Sequence, residues 1–222
     1  PPATRAQCAQ VDSFIRELTL YEEEPDALGS VTADNAGPFE AGTWQTLVQT
    51  YTVGSRPVPK GGGVLLGRHF QSNQGVYQTG DPAGDNYVSV RTSNPAVRMR
   101  ASAAPLSGMF GGFRGPQDMP FFEVMEGELK PGDKVVVTIG DKSGGGRGFR
   151  MQSFANDGLR NPLFVSYGVG TQLMSLKPVL FSVSGGPVAR VRGFAPSTAS
   201  VGETVTVSVR GEDRWRNRAT GR

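Results

Sequence analysis

The sequence predicts an all-β protein: an antiparallel sandwich followed by the opening of an immunoglobulin-like module. Three observations predict it. Glycine and proline are abundant, 31 and 16 of 222 residues, and they break the apolar residues into short runs, as many-looped β proteins require. Those runs alternate in character. Between Leu28 and Val183 no segment carries a helical period.

Taken in order, residues 1–11 form an N-terminal arm, and a sandwich domain is expected over 12–183. Val11, Phe14, Ile15 and Leu18 have helical spacing, against a competing β-rich Leu18-Thr19-Leu20-Tyr21. Glu22-Glu23-Glu24-Pro25-Asp26 reads as a solvated loop, lacking the oxygen-ligand spacing of a calcium site. Strands are expected at 30–33, 44–53, 64–66, 87–91, 97–100 and 121–125. Leu129-Lys130-Pro131-Gly132-Asp133 is a tight turn in which proline presets φ and glycine accepts a conformation closed to other residues. It feeds a buried strand over 135–139. Further strands follow at 149–154, 163–167 and 179–183, then a linker over 184–187.

Residues 188–222 read as the start of a second module. Strand-like 187–192 is followed by turns at 195–197 and 201–203, then by Thr204-Val205-Thr206-Val207-Ser208-Val209, with valines on one face and hydroxyls on the other. An immunoglobulin-like sandwich needs about seven strands. This segment has room for two or three, so Val205, Val207 and Val209 lack a second sheet. They are expected to be frayed, paired with another chain or packed on the first domain.

The formal net charge is +3, concentrated in Arg190, Arg192, Arg210, Arg214, Arg216, Arg218 and Arg222. These arginines alternate with apolar residues and lack interleaved aromatics, which argues for half-exposed strands and against a nucleic-acid partner. Cys8 is the only cysteine, so an intrachain disulfide is impossible. No apolar run reaches the roughly 18 residues of a membrane span. The compartment is open; removal of a signal peptide would imply a periplasmic or secreted protein.

The chemistry-bearing residues are few. With one histidine, His69, and the remote Cys8, the three-ligand set of a catalytic zinc is not assembled. A serine triad lacks its Gly-x-Ser-x-Gly elbow. His69 is read as a strand-end residue. Asp81 with Asp85 and Glu126 with Glu128 have the types of a glycosidase pair but read as turn formers and a wet strand face. Gly140-Asp141-Lys142-Ser143-Gly144-Gly145-Gly146-Arg147-Gly148 lacks the order and the following helix of a phosphate loop, so Lys142 and Arg147 are ligand or domain-contact candidates on a β-loop. The apolar loop 109–122, with Phe110, Phe113 and Arg114, must cover its own sandwich, a neighbouring domain or a cleft. Trp44 and Trp215 read as core, with stacking on sugar rings as the alternative. No residue is assigned as catalytic or metal-binding, and no cofactor to this chain.

Several phrases together carry a resemblance: Ala41-Gly42-Thr43-Trp44, Thr50-Tyr51-Thr52-Val53-Gly54, Lys60-Gly61-Gly62-Gly63-Val64, the 129–133 turn, Gly140-Asp141-Lys142-Ser143, Phe149-Arg150-Met151-Gln152-Ser153-Phe154, Ala195-Pro196-Ser197 and the run 209–217. The succession, over residues 28–217, resembles the N-terminal β-rich region of a bacterial family of unknown function that carries a PHP-type (polymerase and histidinol phosphatase) metal-dependent hydrolase domain. The resemblance implies an accessory, noncatalytic region that packs on or shapes access to an active centre elsewhere, with a divalent metal in the parent protein. Its partner would be a further domain of the same polypeptide or another subunit. The Gly-Asp-Leu-His-x-His-like metal motif of that family has no counterpart here, and Asp213 and Asn217 are expected to be turn residues. A carbohydrate-binding sandwich is the alternative.

Overall fold

The computed structural model describes residues 24–69, 71–106, 117–169, 171 and 173–220. The expectations for the arm, for Cys8, for the helix or strand of 11–21 and for Phe110, Phe113 and Arg114 lie outside these residues. The described chain is nearly all β, with a single helical turn, α1 (Pro25–Leu28). That turn corrects the loop expected there: Pro25 sits in the first turn, where its missing N–H costs nothing, and Leu28 is buried beneath it.

Two sheets build the sandwich. One has the order β1 (Gly29–Ala33), β4 (Leu47–Val53), β9 (Lys134–Ile139), β6 (Val88–Thr92). The other runs β13 (Met174–Ser175), β12 (Leu163–Ser166), β5 (Gly63–Leu66), β8 (Gln117–Glu126), β7 (Arg98–Leu106). Every pairing within both is antiparallel. β4 shows the pattern of one buried face, with Leu47, Gln49, Tyr51 and Val53 inward. They meet Val135, Val137 and Ile139 of β9 and, from the second sheet, Val64, Leu66, Phe122, Val124, Leu163 and Val165. β5 and β12 are buried on both faces, since Leu65 and Phe164 pack with Leu106 and Met119 on the opposite side of their sheet.

The predicted turn is present. Asp133 N–H donates to Lys130 O, Lys130 N–H donates to the Asp133 carboxylate at 2.8 Å, and Gly132 has φ of +85°. Pro131 then Gly132 are the residues a type II turn takes.

The expected strand 44–53 divides into β3 (Trp44–Gln45) and β4. The expected strand 149–154 shortens to β10 (Phe149–Arg150), which pairs with β3. Single bonds continue in the same register, Met151 N–H to Thr43 O and Gly42 N–H to Gln152 O, but Thr43 N–H turns back to Glu40 O and the regular ladder ends there; the Gln152 side chain bridges Ser72 and Phe154 O. A small mixed sheet, β11 (Asn156–Leu159), β14 (Phe181–Ser184), β2 (Phe39–Glu40), closes one side. Last comes a two-stranded ribbon, β15 (Arg190–Phe194) against β16 (Ser208–Glu212). The strand expected over 204–209 enters this ladder only at Ser208. Phe194 pairs with Ser208, and two residues on, Pro196 has no N–H to continue it.

Candidate functional site

The residues singled out from the sequence fall into two places. Trp44, Lys142 and Arg147 come together around the glycine-rich loop. The loop folds onto the turn 80–86 of its own chain: a Cβ on Gly144 would lie 2.1 Å from Pro82 O, and one on Gly146 2.4 Å from Gly84 O. Arg147 Nε donates to both Asp85 oxygens, at 3.2 and 3.0 Å, and its guanidinium lies 4.0 Å from the centre of the Trp44 ring. The hydrogen bonds from Arg147 hold the Asp85 carboxyl below the ordinary carboxylate value. The pair is solvent-exposed, so it orders the loop and adds little stability. Asp81 accepts from Ala83 N–H, and Glu126 lies 3.5 Å from Arg98. Each of these carboxylates is thus occupied by a turn or a surface ion pair. Asp141 is held low by the Ser89 hydroxyl and the Ser143 N–H.

His69 follows β5 in a loop. Its Nδ1 accepts from Arg160 N–H at 3.0 Å, and burial with the nearby Arg160 charge pushes its pKa down. Among the described residues no three of His, Cys, Asp and Glu lie close enough to hold a metal ion. No helix among them is long and apolar enough to cross a membrane.

The second place is the ribbon, whose two faces differ. Arg190, Arg192 and Phe194 share a face with Ser208, Arg210 and Glu212, by pairing and alternation. Three guanidiniums converge on Glu212: Arg192 Nε at 3.1 Å, Arg190 Nε at 3.6 Å, and a hydrogen bond from Arg210. The Glu212 side chain is 2% exposed, yet its cover is those wet guanidiniums. The hydrogen bond from Arg210 is the main cause of its lowered pKa. Arg210 also lies 5.1 Å from the Phe194 ring. The arginine-rich end is therefore partly neutralised from within. The opposite face is apolar and open: Val191, Val207 and Val209 are 65%, 58% and 69% exposed, Val188 packs beside Gly211, and Val207 reaches Gly193.

The ribbon is fastened to the sandwich by the turn after β16. Asp213 is buried. Its carboxylate accepts from the N–H groups of Trp215, Asn217 and Gly186 at 2.8, 2.8 and 3.0 Å and from the Asn217 side chain at 2.9 Å. Burial pushes this carboxyl up, and the hydrogen bonds, led by the Asn217 amide, outweigh it and leave it low. Asn217 also clasps the sandwich, donating to Ser153 O at 3.0 Å and accepting from Ala155 N–H at 2.8 Å. Asp213 and Asn217 are turn residues, as the sequence suggests; their docking contacts reach Gly186, 27 positions from Asp213, and Ser153 and Ala155, 64 and 62 positions from Asn217, and leave no local signal. The stretch 184–187 is held on both sides: Ala41 N–H donates to Ser184 O, and Thr220 bonds Gly185 and Gly186. Trp215 lies against Gly42, at φ +72°, where a Cβ would come 2.5 Å from the indole Nε1. Arg214 covers Trp215 at 5.0 Å. Both indoles therefore already carry a guanidinium.

No protein-family model matches this chain, and no curated protein matches it.

Proposed function

We propose that this chain is an accessory, noncatalytic β-sandwich region of a larger PHP-type metal-dependent hydrolase, whose ribbon forms part of an immunoglobulin-like module completed by further structure. The observation that carries this reading is the asymmetry of the ribbon. One face is organised by an internal ion cluster, and the other leaves three valines wet on a strand pair fixed to a rigid sandwich. Each valine left exposed forgoes about 1.5 kcal/mol or more of burial energy, and such a patch marks an interaction face. The resemblance to the β-rich region preceding a hydrolase domain supplies the partner: the neighbouring domain of the same polypeptide, whose active centre this region packs against or screens.

Val209→Asp tests it. In the natural polypeptide the substitution is expected to lower stability by about 2 kcal/mol or more, through lost burial and an unmatched charge, while the 222-residue chain is hardly affected. Equal, small effects in both contradict the packing. Phosphoester turnover by the 222-residue chain alone, with a divalent metal supplied, contradicts the noncatalytic role.

A further inference from the structure

The charges of the ribbon do not balance. On the sandwich the ion-paired arginines each have their own carboxylate: Arg98 has Glu126, Arg100 has Glu123 and Arg147 has Asp85. On the ribbon three guanidiniums share Glu212. A further arginine joins them. Arg218 stands opposite Glu212 in the bridge on the side of β16 away from β15, and residues directly opposite in an antiparallel pair lie on one face. Arg218 is exposed and is not among the ion pairs of Glu212.

Neither of the other acids in 188–220 offsets the surplus. Asp213 is buried under its own four donors. Glu203 accepts from Ser200 N–H at 2.8 Å within its own turn. Glu212 is committed inside the ribbon, with Oε1 bonded by Arg210 and Oε2 by Arg192. A guanidinium carries more donors than these bonds use. Apart from them and a bond from Arg190 Nη2 to Arg214 O at 3.5 Å, the side-chain donors of Arg190, Arg192, Arg210 and Arg218 have no acceptor among the described residues. Arg192 and Arg210 also face each other directly across the ribbon, a like-charge pair that destabilises unless a carboxylate lies beside it. Their side chains are about half exposed.

We propose that this face of the ribbon is a docking surface for an acidic polypeptide segment, whose carboxylates take the free N–H groups of Arg192, Arg210 and Arg218. Charge complementarity selects an anionic partner, and the guanidinium fork matches a carboxylate two bonds at a time. Alternate residues of a strand recur about every 7 Å, so acidic residues at alternate positions of an extended segment repeat as the arginines do. A single-stranded nucleic acid needs rings to stack on. The face has one, Phe194, and Arg210 already lies 5.1 Å from it. The valines point to the other side of the ribbon, so this docking is independent of the cover on their face.

Fluorescence anisotropy tests this on the 222-residue chain, with a labelled peptide alternating glutamate with serine as the probe. The expected result is binding that weakens as salt screens the charges, with the Nε–Hε signals of Arg192, Arg210 and Arg218 moving in the NMR spectrum. Arg218→Gln leaves the three ion pairs of Glu212 in place and is expected to weaken binding severalfold. Arg218→Glu, which puts a competing carboxylate on the same face, is expected to weaken it about tenfold. Arg98→Gln, the same loss of charge on the sandwich, should leave it unchanged. No binding overturns the proposal, as does equal binding of a peptide with glutamine in place of glutamate. Equal losses in Arg218→Gln and Arg98→Gln overturn it too, assigning the attraction to net charge. Tighter binding of a single-stranded oligonucleotide of the same charge overturns it in favour of nucleic acid.

Discussion

At the residue scale the account turns on groups whose charge is fixed by a few hydrogen bonds. Asp213 holds four donors, so Asp213→Ala leaves buried N–H groups unmatched at about 1–3 kcal/mol each. The expected outcome is a ribbon that exchanges and is cleaved at 188–212 while the sandwich stays folded; unchanged proteolysis contradicts it. Asp213 and Glu212 also set a pH dependence. Both have folded-state pKa values below those of the unfolded chain, 3.8 and 4.5. Their contribution is fully present above those values and is lost as pH falls through the folded ones. Protonating Glu212 loosens the ion cluster within the ribbon, and acid should release the ribbon from the sandwich only as pH falls below about 3.8, where Asp213 is protonated, read out as cleavage at 188–212. His69 has the same sign by a different route. Its pKa is lowered from 6.5, so its neutral form stabilises the fold above that pH, and the contribution is lost as pH falls below it, when Nδ1 can no longer accept from Arg160 N–H. As the sole histidine, its ring proton can be followed directly by NMR; a midpoint at or above 6.5 contradicts the assignment.

At the element scale the docking of the ribbon depends on close approach. Gly42→Ala places a methyl group into the Trp215 indole and is expected to shift Trp215 emission to the red and loosen 213–217, with the sandwich core intact. An unchanged spectrum contradicts that contact. This is also the scale at which the sequence is most and least legible. Alternation marks β4, β9 and the 129–133 turn, because buried faces and turn chemistry are written in adjacent residues. Where strands end is not written in the strand itself: β10 stops because the N–H of Thr43, opposite Met151, turns back to Glu40 O, and β16 starts late because Pro196 ends the ladder of its partner. The candidate site was legible in part. Trp44, Lys142 and Arg147 share one loop cluster, while the roles of Asp85 and Asn217 depend on partners far along the chain.

At the scale of the whole molecule, a well-packed sandwich carries, among the described residues, an open apolar face on its ribbon. The core does not depend on it. Phe122→Ala, in the fully buried centre, is expected to cost about 3–5 kcal/mol, whereas Val209→Thr in the 222-residue chain should change stability by less than about 0.5 kcal/mol. The central claim is that the ribbon face is covered in the natural polypeptide. The most direct measurement is thiol labelling of Val209→Cys in a Cys8→Ser background, comparing that polypeptide with the 222-residue chain. The account predicts fast labelling in the chain and strong protection in the polypeptide. Equally fast labelling in both would contradict it.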